Sequence, residues 1–189
     1  WNDPLNTAGV AIQSQGNTVE LRNSHLYGNR TGVDVNNSNG NNIHNNIIDN
    51  NRTGLIFRNQ TDNTQLKNNF ITNNWTVGIV FLDASGGANV PVQQALTSNF
   101  NENDLSGNWY GAVDDRQEGG ALPADGANLK NFENNYWGVI PPTVNTGASS
   151  EPGYAAQIPV IYGGVATNPG GASSVYGPAE QNVDYQPFL

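Results

Sequence analysis

The chain has 189 residues, a formal net charge of -9 and charged residues at only 12%, about half the usual share of roughly 25%. So acidic a surface has no counterion-release drive toward nucleic acid, and it disfavours polyanions unless Ca²⁺ bridges them. There is no Cys, which excludes disulfides, thiolate metal sites and thiol nucleophiles, and no apolar run approaches the roughly 20 residues of a membrane span.

In chain order, the opening "WNDPLNTAGVAI" has neither the basic start nor the long apolar segment of a secretory signal. It reads as the interior of a longer chain. From there a repeat runs. Glycines ahead of apolar runs stand at Gly9, Gly32, Gly54, Gly78, Gly111 and Gly138, spaced by 23, 22, 24, 33 and 27 residues. One residue after them come Val10, Val33, Leu55, Ile79, Ala112 and Val139. Three after the first four come Ile12, Val35, Phe57 and Phe81. Asn29, Asn51, Asn108 and Asn135 stand three before their glycines, and Asn74 fills the same slot after a one-residue shift. Leu26, Ile48, Ile71, Leu105 and Phe132 stand three residues earlier again.

Within a unit, short period-2 apolar stretches alternate with Asn/Gly turns, the pattern of strand, turn, strand. A unit of this size buries its apolar side only by stacking on its neighbours. The expected fold is therefore all-β: a right-handed parallel β-helix of five to six rungs over residues 1–138. Asn is abundant, 32 residues in all, because it tolerates the left-handed backbone of tight turns. Stacked roughly 4.8 Å apart, its amides also hydrogen-bond along a ladder. Asn29, Asn51, Asn74, Asn108 and Asn135 are the expected ladder, with Asn23, Asn45 and Asn68 in a looser second slot.

The two long units carry insertions at 83–98 and 114–128, expected to leave the same corner side by side. Residues 139–189 turn Pro- and Gly-rich and are expected to dock on the solenoid as a cap; they, or another subunit, are expected to cover an outward stripe of Ile56, Val80 and Val113. The first rung is expected to present an open strand edge, to be met by another copy or by the rest of a parent chain.

These repeats resemble the right-handed parallel β-helix repeats of the pectate-lyase-like superfamily. They are most similar to the "NxIxxNxxGI" type of bacterial surface proteins and periplasmic copper-site maturation proteins. "NNYWG" (134–138) and "NVDYQPFL" (182–189) resemble the terminal stretch of such domains. The resemblance implies a fold. It does not fix a function, because the fold hosts lyases, epimerases, adhesins and scaffolds.

A lyase-type site needs carboxylates on one outward strip for Ca²⁺, with a basic residue as proton acceptor. The carboxylates available are Asp34, Asp83, Asp114 and Asp115, with Arg116 beside them, and two apolar rungs separate Asp34 from the rest. Asp114, Asp115 and Arg116 are thus the runner-up catalytic group. Asp114, three after its glycine, is expected to point inward or to lie at a frayed strand end. His25 and His44 are isolated, too few for a Zn or Cu site, so no metal site is expected. The sequons at Asn29, Asn51 and Asn74 coincide with ladder positions and read as by-products of the repeat. Trp75, Trp109, Tyr110 and Tyr136 are expected at one corner of successive rungs, where they pack under the tail or offer a platform for surface glycans. The preferred reading is a non-enzymatic structural or adhesive module, extracellular or at a bacterial cell surface. The alternative is a polysaccharide-active enzyme or a carbohydrate-binding module.

Overall fold

The structure is a computed structural model describing residues 8–13, 18–82, 93–109, 111–115, 130–138, 143–144, 174–176, 183–184, 187 and 189. Tyr110, Arg116, residues 1–7, and most of the 83–98 and 114–128 insertions and of the 139–189 cap lie outside this set.

Three turns carry a strand on every face. The first is β1 (Ala8–Gln13), β2 (Glu20–Arg22) and β3 (His25–Tyr27). The second is β4 (Thr31–Asn36), β5 (Asn42–His44) and β6 (Ile47–Asp49), and the third is β7 (Thr53–Arg58), β8 (Gln65–Lys67) and β9 (Phe70–Thr72). Each strand pairs in parallel with its counterpart one turn on.

Two further turns are lighter. β10 (Val77–Leu82) and β11 (Gly111–Asp114) continue the first face. The other faces continue through the bridges Gln65↔Asn99, Phe70↔Asp104, Asn99↔Asn131 and Asp104↔Tyr136, with β12 at Lys130–Asn131. The fold is a parallel β-helix, and its five stacked turns comprise three complete and two sparse ones. Near the end of the chain, β14 (Ser174–Tyr176) pairs with β11, β13 (Thr143–Val144) pairs with β14, and β15 (Val183–Asp184) pairs with β12.

The five Asn pairs that lead into the corners, 45–46, 50–51, 68–69, 73–74 and 134–135, have a division of labour. The first member takes a left-handed backbone: φ is 55° at Asn45, 51° at Asn50, 54° at Asn68, 55° at Asn73 and 56° at Asn134. Asn adopts this region at lower cost than most residues. The turn it makes points the second member inward. There the side chain bonds the next turn. Asn29 Nδ2 donates to Asn51 Oδ1 at 3.1 Å, Asn51 to Asn74 at 3.3 Å, and Asn74 to Asn108 at 2.9 Å. In each step the lower backbone N–H donates to the same oxygen.

A second file runs one corner earlier. Asn46 donates to Asn69 at 3.0 Å, Asn69 to Asn103 at 2.9 Å, and Asn103 to Asn135 at 3.2 Å. Asn135 therefore belongs to this second file and not beside Asn108. Asn23, Asn45 and Asn68 form no file; they are the left-handed residues ahead of it.

The repeat glycine follows from the same stacking. A Cβ on Gly32 would lie 2.6 Å from both Gly54 O and Ile48 Cγ2, and one on Gly78 would lie 2.8 Å from Ala112 O. The backbones approach too closely there for a side chain.

Inside, apolar residues stack in columns: Val33, Leu55 and Ile79; Ile43, Leu66, Phe100 and Phe132; Ile48, Ile71, Leu105 and Trp137. Phe57 stacks on Phe81 with ring centroids 5.4 Å apart, Phe100 meets Phe81 edge-on at 5.3 Å, and Phe132 stacks on Phe100 at 4.9 Å.

Asn69→Ala removes a buried amide that receives two bonds and gives three. It is expected to cost about 3 kcal/mol, since buried partners are left unsatisfied. Asn68→Gly, exposed at positive φ, should stay within about 0.5 kcal/mol. Urea unfolding of both variants checks the pair.

Candidate functional site

The fifth turn is shifted by one residue relative to the reading anchored on Gly111. Val77 pairs with Gly111, Ile79 with Val113, and Val80 with Asp114. Ala112 thus occupies the repeat-glycine position, four residues after Asn108 as Gly78 is four after Asn74. Two expectations are corrected. Val113 is fully buried in the core, so it belongs to no outward stripe. Asp114 takes the outward position of Val80, and Asp115 takes the inward position of Phe81.

Asp115 meets Lys130, which the sequence reading passed over. Lys130 Nζ lies 3.0 Å from Asp115 Oδ1 and 3.2 Å from Oδ2, and both side chains are 0% exposed. The hydrogen bond goes to Oδ2; Oδ1 is nearer but makes none. The ammonium also sits 4.9 Å from the centroid of the Phe81 ring, within range for cation–π attraction. Burial opposes both charges. It pushes the Asp115 carboxyl up to about 6 against the pull of Lys130, and it lowers the Lys130 ammonium. The signal in the sequence was parity: Lys130 stands two before buried Phe132, on the inward side of the alternation.

No outward carboxylate strip results. The outward-facing column of the first face runs Ala11, Asp34, Ile56, Val80 and Asp114, and both of its carboxylates are buried. Asp34 Oδ1 accepts a bond from Arg58 Nε at 3.0 Å, yet desolvation wins and its carboxyl is raised. With Asp115 turned into the core, the Asp114–Asp115–Arg116 group does not present two carboxylates to a substrate.

Each histidine faces a carboxylate one turn away. His25 Nε2 lies 2.8 Å from Asp49 Oδ1, and His44 Nε2 lies 3.0 Å from Glu20 Oε1. The His44 bond, helped by Arg22, holds the Glu20 carboxyl below its usual range. Among the described residues no three His, Cys, Asp or Glu side chains converge as metal ligands.

The aromatics divide between two columns. Trp75 and Trp109 each follow a file asparagine, in the positions that Arg30 and Arg52 hold in the lower turns. Tyr136 lies instead on the third face, in line with Asp104, Phe70, Ile47 and His25. Trp75 is 55% exposed, Trp109 52%, Phe70 56%, Tyr136 43% and Ile47 42%, with Tyr27 alongside at 63%. These side chains are accessible. Together they leave large apolar side chains exposed along the third face and its corner, with Asp104 standing between Phe70 and Tyr136.

Residues 4–118, well over half of the chain, match the family model described as periplasmic copper-binding protein (NosD). No curated protein and no solved structure matches the chain.

Lys130→Met strands the Asp115 carboxylate in the core, and the expected loss is about 3–5 kcal/mol. Adding Asp115→Phe, which extends the Phe57–Phe81 column, should recover most of that loss. Chemical denaturation of the single and double variants tests the order.

Proposed function

The chain belongs to the family described as periplasmic copper-binding protein (NosD), and from that premise we propose that it is a β-helix module of the bacterial cell envelope. It works outside the cytoplasm, without catalysis, as a structural or adhesive surface. The observation that carries this reading is the third face. Tyr27, Ile47, Phe70 and Tyr136, with Trp75 and Trp109 at its edge, are exposed on a scaffold whose strand spacing fixes them in columns. Rigid aromatic side chains presented this way gain contact area with little loss of freedom on binding.

Copper does not carry over from the family description to these residues. Soft ligands suit Cu(I) and imidazoles suit copper generally. The sequence has no Cys, no Met and two His, and each of those His already bonds a carboxylate. A Ca²⁺ site finds no better support, since Asp115 is committed to Lys130 and Asp34 to Arg58.

Two kinds of partner suit the reading. Adjacent Trp75 and Trp109 favour surface glycans, because indole faces stack on sugar rings. β1, outermost in the seven-stranded sheet, favours end-to-end association with another copy or with further turns of a parent chain.

Three measurements bear on this. Glycan-array binding by the full chain should fall at least about tenfold on Trp109→Ala, a loss of about 1.4 kcal/mol; an unchanged signal removes the glycan partner. Sedimentation velocity should show larger species as concentration rises. Calorimetric titration with Cu²⁺ should give no saturable one-to-one site.

A further inference from the structure

The fifth turn places a primary amine against a carboxyl group in a sealed aromatic pocket. Lys130 Nζ is 3.0 and 3.2 Å from the two Asp115 oxygens, so the carboxyl carbon lies directly before it. Neither side chain is exposed. The Phe81 ring lies beside the nitrogen, and Phe81 itself packs edge-on against Phe100 and Phe132. We propose that Lys130 and Asp115 join in an intramolecular isopeptide bond, an amide between Nζ and the Asp115 carboxyl carbon, formed by the folded chain without enzyme or cofactor.

The chemistry balances within the pair. The Lys130 ammonium passes a proton to the Asp115 carboxylate along the existing hydrogen bond, leaving a neutral amine and a carboxylic acid. Burial favours this form because it penalises both charges, which is why the carboxyl is pushed up to about 6 and the ammonium is lowered. The amine lone pair adds to the carboxyl carbon and the C–N bond forms. A nitrogen proton moves to the hydroxyl, the C–O bond breaks and water leaves. Ammonium plus carboxylate becomes amide plus one water, and nothing is oxidised or reduced.

Two physical factors drive the condensation. Reacting groups held about 3–3.5 Å apart reach effective molarities of about 10⁵–10⁸ M. The closed apolar surroundings exclude the water that would reverse the step. The bond would close a ring from residue 115 to residue 130, tying the base of the 114–128 insertion across the turn. This inference stands on the pair alone and does not depend on what the aromatic face binds.

Intact mass spectrometry of the denatured full chain tests it. The expected mass is one water below the sequence mass, with peptide mapping recovering the Asp115 and Lys130 peptides joined. Asp115→Asn should lose one ammonia relative to its own sequence, because the amide nitrogen is then the leaving group. Lys130→Met should show its full sequence mass. A cooperatively unfolding wild-type chain at full sequence mass overturns the proposal. So does a one-water loss that maps to a cyclic imide at Asp125–Gly126.

Discussion

A buried amide facing its copy one turn away is the contact on which this molecule is built. Within the files, as at Asn51 and Asn74, each asparagine accepts from the turn below and donates to the turn above, while a further N–H reaches a backbone carbonyl. A single asparagine in a small apolar core would be costly. In a file its polar atoms are met by the next copy, so the corner stays both polar and dry. The strands between corners are mostly three to six residues long, too short to set their own alignment. The two files set it, and with it the columns of aliphatic and phenyl groups inside.

The repeat was legible because the corner chemistry recurs in sequence. Glycine at the close approach, apolar residues at fixed offsets and asparagine at the bend repeat every 22 to 24 residues through the early turns. Legibility failed where one anchor changed identity. Ala112 does the work of the glycine, so counting from Gly111 turned Val113 outward and Asp114 inward, each by one step. Counting from Gly138 likewise placed Asn135 in the wrong file and Phe132 in the wrong column. Trp137 holds the position of Leu105, and Phe132 that of Phe100. A period-2 strand reverses every side chain on a one-residue slip, so small errors of register become complete errors of facing. The Asn–Asn pairs hid their two roles for a different reason: one residue type satisfies both a backbone demand and a side-chain demand.

The candidate site shows the same limit. Asp115 and Lys130 lie on opposite sides of an insertion, and no motif links them. Only the three-dimensional stack reveals that the phenyl column ends at a carboxylate and that an amine from another face reaches it. The exposed aromatics were visible as residues, but their grouping was not. Trp75 and Trp109 are neighbours across a turn, whereas Tyr136 lines up with Phe70 through Asp104. Family membership agrees with the scaffold, while the chain offers no Cys, no Met and only two His as soft or imidazole donors.

The files also have a direction. Every lower backbone amide and every lower side-chain nitrogen donates to the oxygen above it, from Asn29 to Asn108 and from Asn46 to Asn135. Beyond the files the sense is taken up by other groups: Ser24 N–H meets the Asn46 oxygen, and the Nδ2 groups of Asn108 and Asn135 turn to backbone carbonyls. The stack therefore has a single sense: a turn entering it upside down would set oxygen against oxygen at both corners.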